Sequence, residues 1–173
     1  MPDPMTVRAL AATDLHAYKA LRDTMLAAYP DAFTSDAAAE AIKPASVYAS
    51  RFGLERPEDG HFTLGALQGV RLVGAITCDR EQRSKVRHIG HLVGMMVAAE
   101  AQSRGVGRAL LDAFIDTARR CDGLEMLTLT VTSTNRAAIA LYRQADFERF
   151  GTQRRAIKVA GRYHDKDHMV LML

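Results

Sequence analysis

The 173-residue chain has no tryptophan, two cysteines and 6% aromatic residues. Each scarcity removes a class of function. Single-stranded nucleic acid is commonly held by stacked aromatics, and six phenylalanines and five tyrosines scattered through the chain make no such platform. Cys78 and Cys121 are too few for a disulfide framework or a zinc site, which makes a reducing cytoplasm the expected home. Cys78 sits in an apolar strand pattern, where a free cysteine behaves as a small buried hydrophobe. No apolar run approaches the ~20 residues that span a bilayer. The first residues, MPDPMTVRAL, are acidic and proline-bearing, unlike a secretory leader. No block of about five or six like charges occurs, so the net charge of +3 is spread out. A mild excess of that kind attracts a polyanionic small molecule without demanding nucleic acid or a membrane surface. The dinucleotide fingerprint G-x-G-x-x-G and the phosphate loop G-x-x-x-x-G-K-S/T are both absent.

What remains is an ordinary globular composition, 48% apolar and 25% charged, with no repeats, no low-complexity tract and no composition break. Residues 1–173 therefore read as one domain. Residues 5–10 form a short first strand, and Thr13 or Asp14 caps a helix. Leu15, Tyr18, Leu21, Arg22, Met25, Leu26 and Tyr29 recur along that helix at its period, and Pro30 stops it. Ser35 or Asp36 starts a second helix through an alanine-rich stretch, Pro44 breaks it, and a further helical piece runs to Phe52. Residues 53–60 are a charged, proline-bearing loop. Residues 61–68 and 71–79 are strands joined by a tight turn at Gly69. Residues 124–131 alternate as a strand, a helix runs from Ser133-Thr134-Asn135 through Gln144, and 147–157 with 165–173 close the chain as an antiparallel pair. The order βααβββαβαββ indicates α/β or α+β: a single mixed, mostly antiparallel sheet with helices on both faces. A parallel pair flanks the helix over 104–121.

The chain is organised around residues 86–110, VRHIGHLVGMMVAAEAQSRGVGRAL. An apolar strand runs into a glycine-bearing turn, and a helical pattern starts at once. Such a turn aims unpaired backbone N–H groups at one point, backed by the positive end of the helix dipole, and makes an anion site. Gly105 and Gly107 allow a ligand close to the backbone. In the helix, Val106, Leu110, Phe114 and Ala118 line one face, with Leu111 and Ile115 beside them.

The pattern Q-x-x-G-x-G at Gln102–Gly107, set between that strand and that helix, resembles the coenzyme A pyrophosphate loop of the GCN5-related N-acetyltransferase (GNAT) family. Asn135-Arg-Ala-Ala-Ile-Ala-Leu-Tyr142 resembles the family's later N-x-x-A-x-x-L-Y helix. One departure is local: the family usually has Gly-Phe after the tyrosine, and here Asp146-Phe147 forms the turn. The resemblance implies an acyl-CoA N-acyltransferase fold, acetyl-CoA as cosubstrate, no metal, and an amine acceptor attacked directly in a ternary complex. The pantetheine arm would pair with backbone around Met96, Val97 and Ala98. The N–H groups over Gln102, Ser103, Arg104, Gly105, Val106, Gly107 and Arg108 would hold the pyrophosphate, with Arg104 and Arg108 adding charge and Gln102 orienting the loop.

The resemblance further implies that Asn135 bonds the pantetheine arm and that Tyr142 is the acid for the departing thiolate. The two lie seven residues apart, on one helical face. His91 matches the position where some family members carry a catalytic glutamate, and strand alternation puts it on one face with Val93, Met95 and Val97. His88 is the alternative base, on the opposite face. The acceptor pocket is expected from the first helices and the last hairpin, with Asp31, Phe33, Glu40, Tyr163 and His164 as candidates; an acidic lining would suit a cationic amine. The competing reading is a non-catalytic acyl-CoA-binding or sensing domain on the same fold. A homodimer is compatible with either.

Overall fold

The computed structural model describes residues 4–54 and 59–173, so the expected loop over 53–60 lies partly outside the described residues. Its elements in order are β1 (Met5–Ala9), α1 (Leu15–Ala28), α2 (Ala37–Ala41), β2 (Phe62–Gln68), β3 (Arg71–Arg80), β4 (Ile89–Val97), α3 (Val106–Arg119), β5 (Met126–Thr132), α4 (Arg136–Gln144), β6 (Glu148–Val159) and β7 (Arg162–Met172). The strands form one sheet in the order β1-β2-β3-β4-β5-β7-β6. Every neighbouring pair is antiparallel except β4 and β5, which are parallel and joined through α3. Among the described residues no helix is long and apolar enough to cross a membrane.

Local chemistry sets the element ends. The Asp14 carboxylate accepts from the Ala11 N–H at 2.8 Å and pairs with Arg8, fixing the entry to α1. Asp36 caps α2 by accepting from the Ala39 N–H at 2.8 Å. The helical piece before Phe52 is a 3-10 segment, Ala45–Phe52, ended by Gly53 at φ 63°. A Cβ on Gly53 would lie 1.7 Å from the His61 carbonyl oxygen, so only glycine fits there.

Strands β2 and β3 are buried almost throughout, because α1 with the 3-10 segment covers one sheet face and α3 covers the other. The α3 stripe Val106, Leu110, Leu111, Phe114, Ile115 and Ala118 is buried as the sequence pattern predicts. Burying a side chain of this size contributes roughly 1.5–3 kcal/mol each, which makes α3 a rigid support for the turn at its N-terminus. Cys78 and Cys121 are both free and buried, and burial pushes the Cys78 thiol up to about 12.

Candidate functional site

Two features open the middle of the sheet. The parallel pairing of β4 with β5 covers Ile89–Met126, Gly90–Leu127 and His91–Thr128 and then ends. Beyond that point β4 stays paired with β3 while β5 stays paired with β7, so the two strands splay. A cleft of about 570 Å³ fills the gap, walled by α1, β4, the loop at 102–103, α4 and Lys166 of β7.

The second feature is a bulge in β4. Ala75 pairs with Met96 while Thr77 pairs with Val93, so β4 carries one extra residue between them. Gly94 sits in this bulge at φ 57°. The extra residue reverses the alternation. His91 and Val93 therefore share a face with Thr77, Ala75 and Met96, whereas Met95 and Val97 face the other way, toward α3 and α4. This corrects the expectation that His91, Val93, Met95 and Val97 share one face; uniform alternation does not survive a bulge. Contacts agree with the reversal: a Cβ on Gly107 would lie 3.6 Å from Met95 Cε and 3.9 Å from Val97 Cγ2.

The Gln102–Gly107 turn is built as a cradle. Ser103 and Gly105 have φ of 58° and 79°, and Gly105 is the residue that opens α3. No heavy atom lies within 4 Å of a Cβ placed on Gly105, so the space above the turn is open. Gln102 ties the turn to its surroundings by donating through Nε2 to the Val97 carbonyl at 3.0 Å and to Tyr29 Oη at 3.3 Å. Gln102, Ser103 and Gly107 line the cleft, with Val97 and Met96 beside them. Val106 is buried in the α3 stripe, so only its backbone can take part.

Three expected residues are differently employed. The Ala98 N–H donates to the Val73 carbonyl at 2.8 Å, which leaves it unable to meet a ligand. Backbone groups alternate along a strand, so Met96, paired with Ala75, also turns its groups to β3, contrary to expectation, and Val97 and Met95 are the residues that turn theirs toward the splayed side. Arg108 points away from the turn: its guanidinium holds both carboxylate oxygens of Asp112 at 2.8 Å and lies 3.4 Å from the Gln144 carbonyl. The pair is an exposed i,i+4 contact within its own helix. Arg104 remains exposed at the turn.

Helix α4 brings Asn135 and Tyr142 to the cleft together. Asn135 caps α4, its side-chain oxygen accepting from the Ala138 N–H at 3.2 Å. Tyr142 is buried against Phe147, and its hydroxyl points at Met95 Sδ, 3.4 Å away. Burial pushes the Tyr142 pKa up, so the hydroxyl stays protonated at neutral pH. Asp146, where the family has glycine, adopts φ 65°, the left-handed conformation that the turn before Phe147 requires.

His91 lies just before the splay. Its Nδ1 is 2.6 Å from Thr128 Oγ1 and its Nε2 is 3.2 Å from Glu81 Oε1. The hydrogen bond from His91 holds the Glu81 carboxyl below its ordinary range. Val93, two residues further along the same face, lines the cleft, whereas His91 does not.

The acceptor end differs from expectation. Of the five candidates only Phe33 lines the cleft. Tyr163 is exposed under Arg155 and Lys158, and Asp31 offers its carbonyl to Thr132 at 2.5 Å. Glu40 is buried behind Arg22, bonded to Arg22 (3.3 Å), Lys43 (2.5 Å) and Tyr48 (2.5 Å). Burial opposes its ionisation, but those bonds and the Arg22 charge prevail and hold its carboxyl down at about 2. The cationic walls of the cleft are instead Arg22, Arg51 and Lys166, with no carboxylate among the described lining residues. Sequence reasoning missed this trio, although one signal was there: Arg22 stands inside the buried stripe of α1, where an unpaired arginine cannot be tolerated. Among the described residues no cluster of His, Cys, Asp and Glu suits a metal ion.

The model of the Acetyltransferase (GNAT) family matches residues 18–147. The chain is 35% identical over 111 residues to N-alpha-acetyltransferase RimI of Mycobacterium tuberculosis, covering 64% of this chain and 66% of that protein. It is 31% identical over 98 residues to L-amino acid N-acetyltransferase AaaT of Escherichia coli, covering 57% of this chain and 60% of that protein. The matches thus span 66% and 60% of these relatives' lengths. In three dimensions the chain is similar to yncA, a putative acetyltransferase from Salmonella typhimurium solved with its cofactor acetyl-CoA. The TM-score is 0.79 at 22% identity, covering 98% of this chain and 94% of that one, a likeness of fold.

Proposed function

The chain belongs to the GNAT acetyltransferase family, and on that premise we propose that it transfers the acetyl group of acetyl-CoA to a primary amine by direct attack in a ternary complex. The observation that carries the reading is the conjunction, in one cleft, of splayed parallel strands, the Gln102–Gly107 cradle and the buried Tyr142 hydroxyl. These residues fit a long thioester with an anionic end. Unpaired strand groups suit an amide-bearing arm, and the open space above Gly105 suits a phosphate against backbone N–H groups.

In this reading the N–H groups over 102–107 hold the pyrophosphate, with Arg104 beside them. Met95 and Val97 offer backbone to the pantetheine arm, and Asn135 stands across the cleft. Acetyl-CoA supplies a thioester carbon open to attack, with a thiolate as leaving group. A neutral amine is needed for that attack. His91, whose Nε2–H donates to Glu81, takes the amine proton at Nδ1, relayed through water and the Thr128 hydroxyl, which passes its own proton to Nδ1 and is reprotonated by the water. A strand N–H on the open side of β4 receives the negative charge that gathers on the thioester oxygen. The carbon–sulfur bond breaks as the carbon–nitrogen bond forms, and Tyr142 Oη gives its proton to sulfur.

Calorimetric titration with acetyl-CoA tests the site. The wild type should bind, and Gly105→Val should not. Gly105 needs left-handed backbone that a β-branched residue resists, and its side chain would occupy the ligand's space. Retained affinity in the variant would move the pyrophosphate elsewhere.

A further inference from the structure

Three hydrogen-bond donors converge on one spot beside Gly94. A methyl group built on that glycine would lie 3.6 Å from Tyr18 Oη, 3.8 Å from Arg51 Nη1 and 3.9 Å from Arg22 Nη1. The donors come from two separate elements, α1 and the 3-10 segment Ala45–Phe52. Tyr18 is fully buried, and its hydroxyl has no partner among the described residues. An unsatisfied buried hydroxyl is costly, which marks a position completed by a ligand or a solvent molecule. The Arg22 guanidinium is fixed by Glu40 at Nε (3.3 Å) and by Ser35 at Nη2 (2.9 Å), which leaves Nη1 for the spot. Arg51 packs over the Tyr48 ring and pairs with no carboxylate among the described residues.

The charge balance points the same way. Arg22, Arg51 and Lys166 face the cleft, and no described acidic side chain does. Lys166 donates to Thr34 Oγ1 at 2.5 Å, and burial lowers its pKa. These cations stand apart from the pyrophosphate cradle. Gly94 faces α1, while the Gly107 side of the cleft meets Met95 and Val97 on the other face. A purely cationic amine would be repelled from such a chamber.

We propose that the acceptor is a free α-amino acid whose carboxylate is bound beside Gly94 by Tyr18, Arg22 and Arg51. The inference rests on the transferase reading and names its acceptor class. The spot is one residue from Met95, ~3.3 Å along the strand, about the separation of amine and carboxylate in an α-amino acid. Carboxylate and amine therefore belong to one small molecule. A peptide N-terminus presents a neutral amide where this site offers charge, and Met25, Phe33 and Val93 supply an apolar wall for a side chain.

The test separates this claim from the transferase reading by measuring binding without turnover. Acetyl-CoA is first titrated into the protein. Protein saturated with coenzyme A is then titrated with each of the twenty standard amino acids, and with the amide of whichever binds best. At least one amino acid should bind, and its amide should bind about 100-fold more weakly. Tyr18→Phe should weaken the amino acid about tenfold, as expected for a lost bond to a charged group, without lowering thermal stability. Arg51→Met should remove the preference for the acid over the amide. Both variants should keep the acetyl-CoA affinity. Loss of acetyl-CoA binding in the wild type would break the transferase reading instead. With acetyl-CoA bound, the proposal is overturned if no amino acid binds, if the amide binds equally well, or if both variants leave the preference intact.

Discussion

Glu40→Gln offers a sharp test of how the acceptor end is held. The Glu40 carboxylate is 7% exposed and accepts bonds from Arg22, Lys43 and Tyr48. Its pKa falls from an ordinary 4.5 to about 2, against the opposing effect of burial. At ~1.4 kcal/mol per tenfold change, that depression corresponds to about 3 kcal/mol of stability, an order-of-magnitude figure. A depressed carboxylate contributes fully above its unfolded pKa, and the contribution is lost as pH falls through the folded value. Urea unfolding of both proteins should therefore show a gap of about 3 kcal/mol at pH 7. Less than half of that gap should remain at pH 3, because wild-type Glu40 is then giving up its advantage while glutamine does not titrate. Arg22 would also lose the group that orients it, so acceptor affinity should fall while acetyl-CoA affinity holds. A gap unchanged between pH 7 and pH 3 would refute the idea that a charged Glu40 anchors this network.

The remaining predictions concern the chemistry and one turn. Tyr142→Phe should lower kcat by ~10²–10⁴, the usual worth of a positioned proton donor, with acetyl-CoA affinity near normal; an unchanged rate would remove Tyr142 as the acid. Its stability should move by no more than ~1 kcal/mol, because the hydroxyl's neighbour is a thioether sulfur, a weak acceptor. His91→Ala should erase the acidic limb of the pH–rate profile, and a profile identical to wild type would exclude His91 as the base. Asp146→Gly should raise the urea midpoint by up to ~1 kcal/mol equivalent, since relief at φ 65° outweighs the added freedom of the unfolded chain. A lower midpoint would mean that Asp146 makes a contribution the backbone angle does not capture.

Periodicity carried much of this structure. The α3 stripe, the order of elements along the chain and the parallel pair across α3 follow from spacing and the crossover rule, and the structure has them. The Gln102–Gly107 turn was legible because glycine and strand-to-helix position leave few alternatives. What spacing cannot register is a single inserted residue. The bulge at Gly94 reverses the second half of β4 and separates His91 from Met95 and Val97, although Gly94 looks like any other glycine in a strand. Long side chains are equally hard to place, since a residue number fixes Cα and not the guanidinium. Arg108 turned to Asp112, and Arg22 turned inward to Glu40 eighteen residues away. The basic walls of the cleft are made of such side chains from distant elements, which is why their character emerged only in three dimensions.

The most direct test of the central claim is amine-dependent thiol release, followed by the mass of the amine product. The protein is incubated with acetyl-CoA and a mixed panel of amines that includes amino acids and peptides. The account predicts free coenzyme A and acetylated amine in equal amounts, with both abolished when the amine is omitted. Acetyl-CoA bound tightly with no thiol released against any amine would contradict it and leave a binding domain on an acetyltransferase fold.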